Sequence, residues 1–386
     1  MVAIGVARVF AAIAGAIISL AAPARAEDTI KIGVILPISG GAAYVGQGIG
    51  DGVRLAVDQI NAVGGIKGRK LEILLRDEML RPDASVAAAK ELITKDGVKF
   101  IIGPATSATS LAVSELAKTE HIVNISPSAK TEAITGSKLH EYIFQLAPTT
   151  DVDGVRSVGV LNKIGAKSVC FTGFDYAYTQ DWFKAIKTNM GAIQNAGEFL
   201  VPLNTTDYST VIGQLIASPC DTVVGTMYGG GFIAFVKQAA PFGLFKTKKL
   251  LWGANTGDYA VAKALGPDFP EGVWAAASDI WYYEGSDAHA KYQAALAQLQ
   301  GRKETDMWPI TGYNAVNFLA AAIEKAGSDD PKAVRDALEG LTIDSPLGPL
   351  TLDAKTHRAS SPEFYGQVNA VSGSPVKRMS PYELVK

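Results

Sequence analysis

Short apolar runs alternate with longer amphipathic stretches along most of the chain. Such alternation is typical of βα units, in which helices cover both faces of a parallel sheet. In the first half, the pattern predicts strands at 30–36, 71–76, 100–102 and 121–125, helices at 46–63, 81–95 and 107–119, and a short turn near Glu132.

A second series of the same kind begins after Pro148. The predicted strands are 169–172, 198–202, 222–226 and 250–253, and the predicted helices are 152–161, 179–190, 208–216 and 230–242. This repetition indicates two α/β lobes rather than one wide sheet. Further helices at 288–299, 308–326 and 331–340 are followed by short strands, 346–353 and 364–372, which we expect to add to sheet edges. A chain that crosses between lobes forms a hinge, with a ligand cleft between the lobes.

The first 26 residues have the pattern of an export signal. Arg8 and the terminal amine precede an apolar stretch, 9–22, and Ala24-Arg25-Ala26 is a small-x-small cleavage sequence. As a helix, about 14 residues reach only ~21 Å, whereas a bilayer core is ~30 Å thick. We therefore predict cleavage after Ala26 and a periplasmic protein, with a short membrane anchor as the alternative.

The net charge and the two cysteines give two further predictions. The formal net charge is −2, which provides no bulk attraction for nucleic acid. Cys170 and Cys220 belong to strands that could be neighbours, but they are offset by about three residues, or ~10 Å at ~3.3 Å per residue. We expect two buried thiols, and a disulfide is the alternative.

Signals for catalysis, a metal or a cofactor are weak. The four histidines are scattered, and no G-x-S-x-G elbow or P-loop occurs. Gly46, Gly48, Gly50 and Gly52 do not complete the dinucleotide fingerprint, and we interpret them as allowing close packing around the first helix. We predict a protein that is not an enzyme and has no cofactor.

A hydroxyl-rich loop at the start of a helix is the strongest candidate for an anion site. Ala105, Thr106 and Ser107 follow a buried strand, and a helix begins there. The first N–H groups of a helix lack intrahelical partners and carry partial positive charge, so this loop can hold a carboxylate. Thr106 or Ser107 could equally be an ordinary N-cap.

A second hydroxyl-rich turn and several aromatic residues complete the predicted cleft. Ser128 can donate to the same anion, and Lys130 either pairs with it or faces water. Tyr178 and Tyr228 lie just past strand ends, where ligands collect in open α/β sheets. With Trp308 they predict an aromatic wall, although each could be ordinary packing.

Several motifs together resemble the periplasmic substrate-binding proteins of ATP-driven importers for branched-chain amino acids (leucine, isoleucine and valine) and similar solutes. These motifs are IGVILPISG, INAVGGIKGRKLEILLRD, FIIGPATSATS, NISPSA, DYAYTQ and LGPLTLD, and the resemblance runs from Ile30 to about Val371. It implies an α/β, two-lobed type I fold in which each lobe is a parallel sheet flanked by helices, with three crossovers between lobes. Lobe one would comprise 27–147 and 280–346, and lobe two 148–279 and 347–386.

The resemblance also assigns roles to residues and partners. It implies carboxylate contacts from Ala105, Thr106, Ser107, Ser128 and Lys130, walls from Tyr178, Tyr228 and Trp308, and a rim that includes Tyr44 and Val45. The implied partners are a small-molecule ligand and the permease subunits of an ABC transporter in the inner membrane. We expect the receptor to be a monomer.

One position departs from the family pattern. Amino-acid binders of the family hold the ligand ammonium with a carboxylate, whereas Asn255 or Thr256 stands there in this chain. An unpaired ammonium in a closed cleft costs on the order of several kcal/mol, and Lys130 adds positive charge. We therefore favour an aromatic or other apolar acid without an ammonium, although Asp175 or Asp258 could replace the missing carboxylate. A branched-chain or other hydrophobic amino acid, a urea or short-amide receptor, and a sensor without transport remain alternatives.

Overall fold

The computed structural model describes residues 29–253 and 256–385, which fold around two main sheets. The predicted signal peptide and Asn255 lie outside the described residues. The strands are β1 Ile30–Leu36, β2 Leu71–Asp77, β3 Phe100–Ile102, β4 Val123–Ser126, β5 Ile143–Gln145, β6 Ser168–Phe174, β7 Gln194–Val201, β8 Thr222–Gly225, β9 Lys249–Trp252, β10 Trp274–Ala277, β11 Thr342–Ser345, β12 Gly348–Thr351, β13 Glu363–Asn369 and β14 Arg378–Val385.

Twelve α-helices lie in the described part of the chain. They are α1 Ala43–Ala62, α2 Pro82–Thr94, α3 Ser107–Glu120, α4 Thr150–Lys163, α5 Ala177–Asn189, α6 Ser209–Ala217, α7 Gly229–Ala239, α8 Leu244–Thr247, α9 Tyr259–Leu265, α10 Asp287–Gln300, α11 Pro309–Ala326 and α12 Pro331–Leu338. Short 3-10 helices cover Gly40–Ala42, Glu132–Ile134, Ala240–Phe242 and Gly266–Asp268. Across the described residues, no helix has both the length and the apolar content that a bilayer crossing needs.

The first sheet is entirely parallel and has the strand order β2-β1-β3-β4-β5. Its interior strand β1 is buried at every residue except Lys31, as expected for a strand covered on both faces. Helices α1 to α3 connect its strands, and α10 to α12 pack back onto the same unit. We call this sheet with those six helices lobe one.

The second sheet has the order β14-β13-β10-β9-β8-β6-β7. Strands β6 to β10 are parallel, whereas β13 and β14 join antiparallel at one side. We call this sheet with α4 to α9 lobe two. The chain passes between the lobes three times, after β5, after β10 and before β13. The predicted fold class is confirmed, and the exact lobe borders stay a prediction.

The glycines of α1 allow a close approach between α1 and the start of α11. A Cβ atom on Gly52 would lie 1.8 Å from the carbonyl oxygen of Pro309, and one on Gly48 would lie 2.8 Å from the Cβ of Trp308. Both distances are shorter than any tolerable contact, so only glycine fits. This packing supports the close-packing interpretation for Gly48 and Gly52 but not for Gly50, where a Cβ atom would make only an ordinary contact at 3.9 Å.

Two sequence predictions are wrong. Cys170 and Cys220 form a disulfide, with their Cα atoms 5.6 Å apart. The register is as predicted, because Cys170 pairs with Val223. However, β8 begins only at Thr222, so Cys220 lies in the preceding loop, where it is free to turn towards Cys170. Likewise, β12 adds to neither main sheet edge, because it pairs with β11 in a separate hairpin.

Candidate functional site

A cleft with about 100 Å³ of free space lies between the lobes, where the carboxyl ends of their parallel strands face each other. This position is typical of small-molecule sites in α/β proteins. Its lining residues are Pro37, Ala42, Val45, Leu80, Ala105, Thr106, Ser107, Ser128, Ala129, Lys130, Tyr176, Tyr178, Tyr228 and Trp308. The structure thus brings together nine of the eleven residues proposed from the sequence; Tyr44 is not among the lining residues, and Asn255 lies outside the described part of the chain.

The start of α3 forms the polar floor of the cleft on lobe one. The Thr106 side chain caps the helix by accepting from the Thr109 N–H at 3.4 Å, so Thr106 is an N-cap. The hydroxyl oxygen of Ser107 accepts from the Thr131 N–H at 3.3 Å, which leaves the Ser107 proton available to a ligand. The N-cap role and the anion role therefore fall on adjacent residues and do not compete.

Ser128 supports the same loop from the neighbouring strand end. Its hydroxyl donates to the carbonyl oxygen of Ala105 at 3.0 Å, so it ties the loop after β4 to the loop after β3. Its lone pairs, rather than its proton, face any ligand in this conformation. Ser128 lines the cleft as predicted, but its observed bond is structural.

The ammonium of Lys130 is already paired within the protein, which corrects the expectation from the sequence that it adds positive charge to the cleft. Its ammonium lies 2.7 Å from Asp153 and also bonds Glu363. Arg156 lies 3.8 Å from both of these carboxylates. The charge of Lys130 is compensated inside the protein, so little of it remains for a ligand. We call these four residues the hinge charge cluster, because they join the loop after β4 to α4 and β13.

The electrostatics of the hinge charge cluster keep Lys130 charged. Burial alone would lower its pKa, but the Asp153 and Glu363 charges outweigh burial and hold that pKa above its ordinary value. Burial also opposes ionisation of Glu363, yet the Lys130 and Arg156 charges keep the Glu363 pKa low. Burial, followed by the Glu363 charge, raises the pKa of Asp153 to about 8. Lys130 is therefore held as a cation between the two carboxylates.

Lobe two contributes an aromatic wall. Tyr176 has its ring centroid 5.8 Å from that of Tyr178 and 6.1 Å from that of Tyr228. Tyr178 in turn stacks on Trp182 at 6.2 Å, and this contact supports it from behind. Tyr176 was missed from the sequence, although it lies in the same DYAYTQ motif after β6 and could have been found by that position.

Glu78 is a second residue that the sequence analysis missed. It is fully buried, and its carboxylate accepts the N–H of Ala105 at 3.1 Å while its other oxygen has no partner among the described residues. Burial raises its pKa to about 7. Burial and the Glu78 charge also raise the pKa of Tyr228 across the cleft. The available signal was its position, a carboxylate directly after the carboxyl end of β2.

Tyr44 and Asp258 have interlobe roles rather than a place in the cleft lining. The Tyr44 hydroxyl lies 3.0 Å from the position that a Cβ atom would take on Gly229 of lobe two. Asp258 accepts the N–H of Ala260 at 2.8 Å and that of Met307 in lobe one at 3.0 Å. Each oxygen thus accepts one backbone N–H, and Asp258 is not among the lining residues, so its suggested role as a substitute partner for an ammonium stays a prediction.

The two lobes are in contact across the cleft. Besides the Asp258 bond to Met307, the Thr131 hydroxyl donates to Asp181 of α5 at 2.6 Å. Thr131 also donates its N–H to Ser107. One residue thus connects the polar floor of lobe one to the helix of lobe two.

Within the described ranges, no group of three or more His, Cys, Asp or Glu is arranged to hold a metal ion.

Comparison with known families and proteins identifies solute-binding proteins as relatives. The model of the family described as periplasmic binding protein matches residues 29–374. Over 356 residues, the chain is 27% identical to the leucine-, isoleucine-, valine-, threonine-, and alanine-binding protein of Pseudomonas aeruginosa, covering 90% of this chain and 91% of that protein.

Solved structures agree with the fold. A solute binding protein of an ABC transporter from Rhodopseudomonas palustris BisB5, in complex with 3,4-dihydroxybenzoic acid, has a TM-score of 0.84 and 25% identity, covering 93% of this chain and 99% of that one. A branched-chain amino acid transporter substrate binding protein from Streptococcus pneumoniae, in complex with isoleucine, has a TM-score of 0.81 at 22% identity, covering 92% and 99%.

Proposed function

The chain belongs to the periplasmic binding protein family of branched-chain amino acid transporters, and from that premise we propose that it captures a small carboxylate ligand and delivers it to an ABC importer. The observation that carries the proposal is the division of the cleft, with a helix start and the Ser107 hydroxyl on lobe one facing three tyrosines on lobe two. The receptor would act in the periplasm as a monomer after cleavage at Ala26, and the permease would recognise its closed form.

We propose that the ligand is a carboxylate with an aromatic or other apolar body. Its carboxylate would accept the Ser107 hydroxyl and the free N–H groups at the start of α3, which favour negative charge. Its body would pack between Trp308 and the tyrosines, gaining roughly 25 cal/mol per Å² of buried apolar surface. Micromolar affinity requires about 8 kcal/mol, and these terms together are of that order.

A branched-chain or other hydrophobic amino acid is the second candidate, favoured by the named function of the Pseudomonas aeruginosa relative. It requires a partner for the ligand ammonium. Lys130 is the charged residue among the described lining residues, and Asp258, whose oxygens accept two backbone N–H groups, does not line the cleft. For this reason we rank the ammonium-free acid first, with Asn255 as its proposed neighbour. A urea or short-amide receptor and a sensor without transport remain outcomes of the same test.

Calorimetry on the mature protein tests the proposal. A thermal-shift panel of branched-chain amino acids, aromatic acids, dicarboxylates and short amides first identifies a ligand, and titration then measures its Kd. We expect Ser107→Ala to weaken binding of a carboxylate at least tenfold, because it removes a donor from the anion. Ser110→Ala is the matched control. The Ser110 hydroxyl donates to the carbonyl oxygen of Pro104 at 2.9 Å, and Ser110 does not line the cleft.

Two outcomes would count against this proposal. Unchanged affinity in Ser107→Ala would remove the anion site from the start of α3. Strong stabilisation by leucine without any stabilisation by ammonium-free acids would reverse the ranking of the two ligand classes and exclude the role suggested for Asn255.

A further inference from the structure

A second cavity, with free space of about 30 Å³, lies beside Trp308 at the hinge side of the cleft. We call it the hinge chamber. It shares Ser128, Lys130 and Trp308 with the ligand cleft, so the two spaces adjoin each other. Its remaining wall comes from α11, the β11–β12 hairpin and the segments that connect the lobes.

Two polar side-chain atoms of residues that line the hinge chamber are buried and have no hydrogen-bond partner among the described residues. They are the indole Nε1 of Trp308 and the side-chain oxygen Oδ1 of Asn314. The two residues are only 8% and 7% exposed, respectively. A buried polar atom without a partner costs about 1–3 kcal/mol, so such atoms indicate a missing partner.

The chemistry of these two atoms is complementary. The indole N–H only donates and the amide oxygen only accepts, and a hydroxyl or amide group, which has both a donor and an acceptor, can pair with either. The rest of the chamber is neutral in character. Leu146, Leu347 and Leu350 supply an apolar wall, and the ammonium of Lys130 is already paired with Asp153 and Glu363. A charged group would find no counter-ion there, whereas a neutral polar group would fit.

We propose that the hinge chamber is a specificity subsite of the cleft, which takes a neutral hydroxyl or amide group carried by the ligand. This inference rests on the proposed function, since it presupposes that a carboxylate is held at the start of α3. Trp308 would then serve twice, with its ring as a wall for the ligand body and its N–H as a donor to the substituent. Bound water has the same donor and acceptor chemistry. The experiment must therefore distinguish a ligand group in the hinge chamber from water.

The test compares acids with and without a hydroxyl group. Benzoate, 4-hydroxybenzoate and 3,4-dihydroxybenzoate are titrated calorimetrically into the unmodified protein and into Asn314→Leu, Trp308→Phe and Asn317→Leu. Hexanoate and 6-hydroxyhexanoate form the aliphatic pair. Asn317 is the matched control because it lies on the same helix, where its side chain donates to the Tyr313 carbonyl at 2.8 Å.

We expect the unmodified protein to prefer a hydroxylated acid over its parent by at least tenfold in Kd. Asn314→Leu and Trp308→Phe should each reduce this preference to threefold or less, chiefly through weaker binding of the hydroxylated acid. Asn317→Leu should retain the preference. The Phe variant keeps the aromatic ring, so it decides the question if the Leu variant fails to fold.

Two results would overturn the subsite. Equal affinity of the unmodified protein for both members of every pair, or a preference that survives in both variants, would leave the chamber to water alone. Failure of all these acids to bind the unmodified protein, together with binding of an amino acid or a short amide, would instead overturn the proposed ligand class and the subsite with it.

Discussion

The two walls of the cleft differ in what they can recognise. Lobe one presents a helix start, hydroxyls and backbone groups around Ser107, and neighbouring bonds to Thr131 and Glu78 hold this surface in place. Lobe two presents the rings of Tyr176, Tyr178 and Tyr228. The first surface fits a group that all carboxylate ligands share. The second fits the part in which such ligands differ.

This difference separates affinity from selectivity within one cleft. A change on lobe one should alter the affinity for all carboxylates by a similar factor, whereas a change on lobe two or in the hinge chamber should alter their ranking. Between the walls, the hinge charge cluster and the interlobe bonds set how the two surfaces meet. Three variants test these structural supports, in descending order of expected effect.

Lys130→Met should have the largest effect, on stability. The variant removes the cation that sits between Asp153 and Glu363, and leaves buried carboxylates without their closest partner. Breaking a buried ion pair from one side costs about 3–5 kcal/mol. We expect the free energy of urea unfolding to fall by about that amount at pH 7. Lys163→Met is the matched control, because its partner Glu383 is exposed and such pairs contribute about 0–1 kcal/mol.

An equal, small loss in both lysine variants would show that the hinge charge cluster does not hold the two walls together. Lys130 would then regain the role of a ligand contact that the sequence suggested. Titration of the variant with an acid ligand separates the cases, because a ligand contact would weaken binding even where stability is unchanged.

Much of the fold was predictable because it depends on local patterns. The strands 30–36 and 100–102 and the start of α3 at Ser107 match the structure, since an apolar run followed by a hydroxyl-rich turn is a signal contained in adjacent residues. The same holds for Ser107 and Tyr228, which lie where strands end. Strand ends converge on the cleft in any such fold.

The failures concern residues whose environment comes from distant parts of the chain. Lys130 could not be judged because one of its partners, Glu363, lies 233 positions away. The disulfide was missed because the bend before β8, and not the strand register, brings Cys220 to Cys170. Glu78 was missed because nothing in its neighbourhood along the chain indicates that it is buried.

Glu78→Gln should change how stability depends on pH, and it tests the support behind lobe one. Burial raises the pKa of Glu78 to about 7, from an ordinary value of 4.5. Between these values the folded protein holds a proton that the unfolded chain has lost, so stability falls as pH rises. From pH 5 to pH 8, the unmodified protein should lose roughly 2 kcal/mol more than Glu78→Gln in urea unfolding.

The control for the change in net charge is Glu72→Gln, since Glu72 lies on an exposed position of β2. It should keep the full pH dependence. Parallel pH profiles in the unmodified protein and Glu78→Gln would mean that Glu78 is ionised in the folded state throughout this range. The lobe-one floor would then lie directly in front of a negative charge, which would disfavour a carboxylate ligand there.

The smallest effect is expected from Asp181→Ala, which removes the bond between the two walls. Thr131 donates its hydroxyl to Asp181 at 2.6 Å and its N–H to Ser107, so closure and the carboxylate floor share one residue. Loss of a partly exposed bond of about 1 kcal/mol should raise the dissociation rate three- to fivefold. Because the bond touches no ligand, stopped-flow measurements should show the same factor for every acid. Asp175→Ala should leave the rate unchanged. Among the described residues, the Asp175 carboxylate accepts a hydrogen bond from the nearby Gln180 side chain and none from lobe one. If the change in dissociation rate varied between acids, Asp181 would influence the aromatic wall. Lobe one could then not be the surface that treats all carboxylates alike while lobe two discriminates between them.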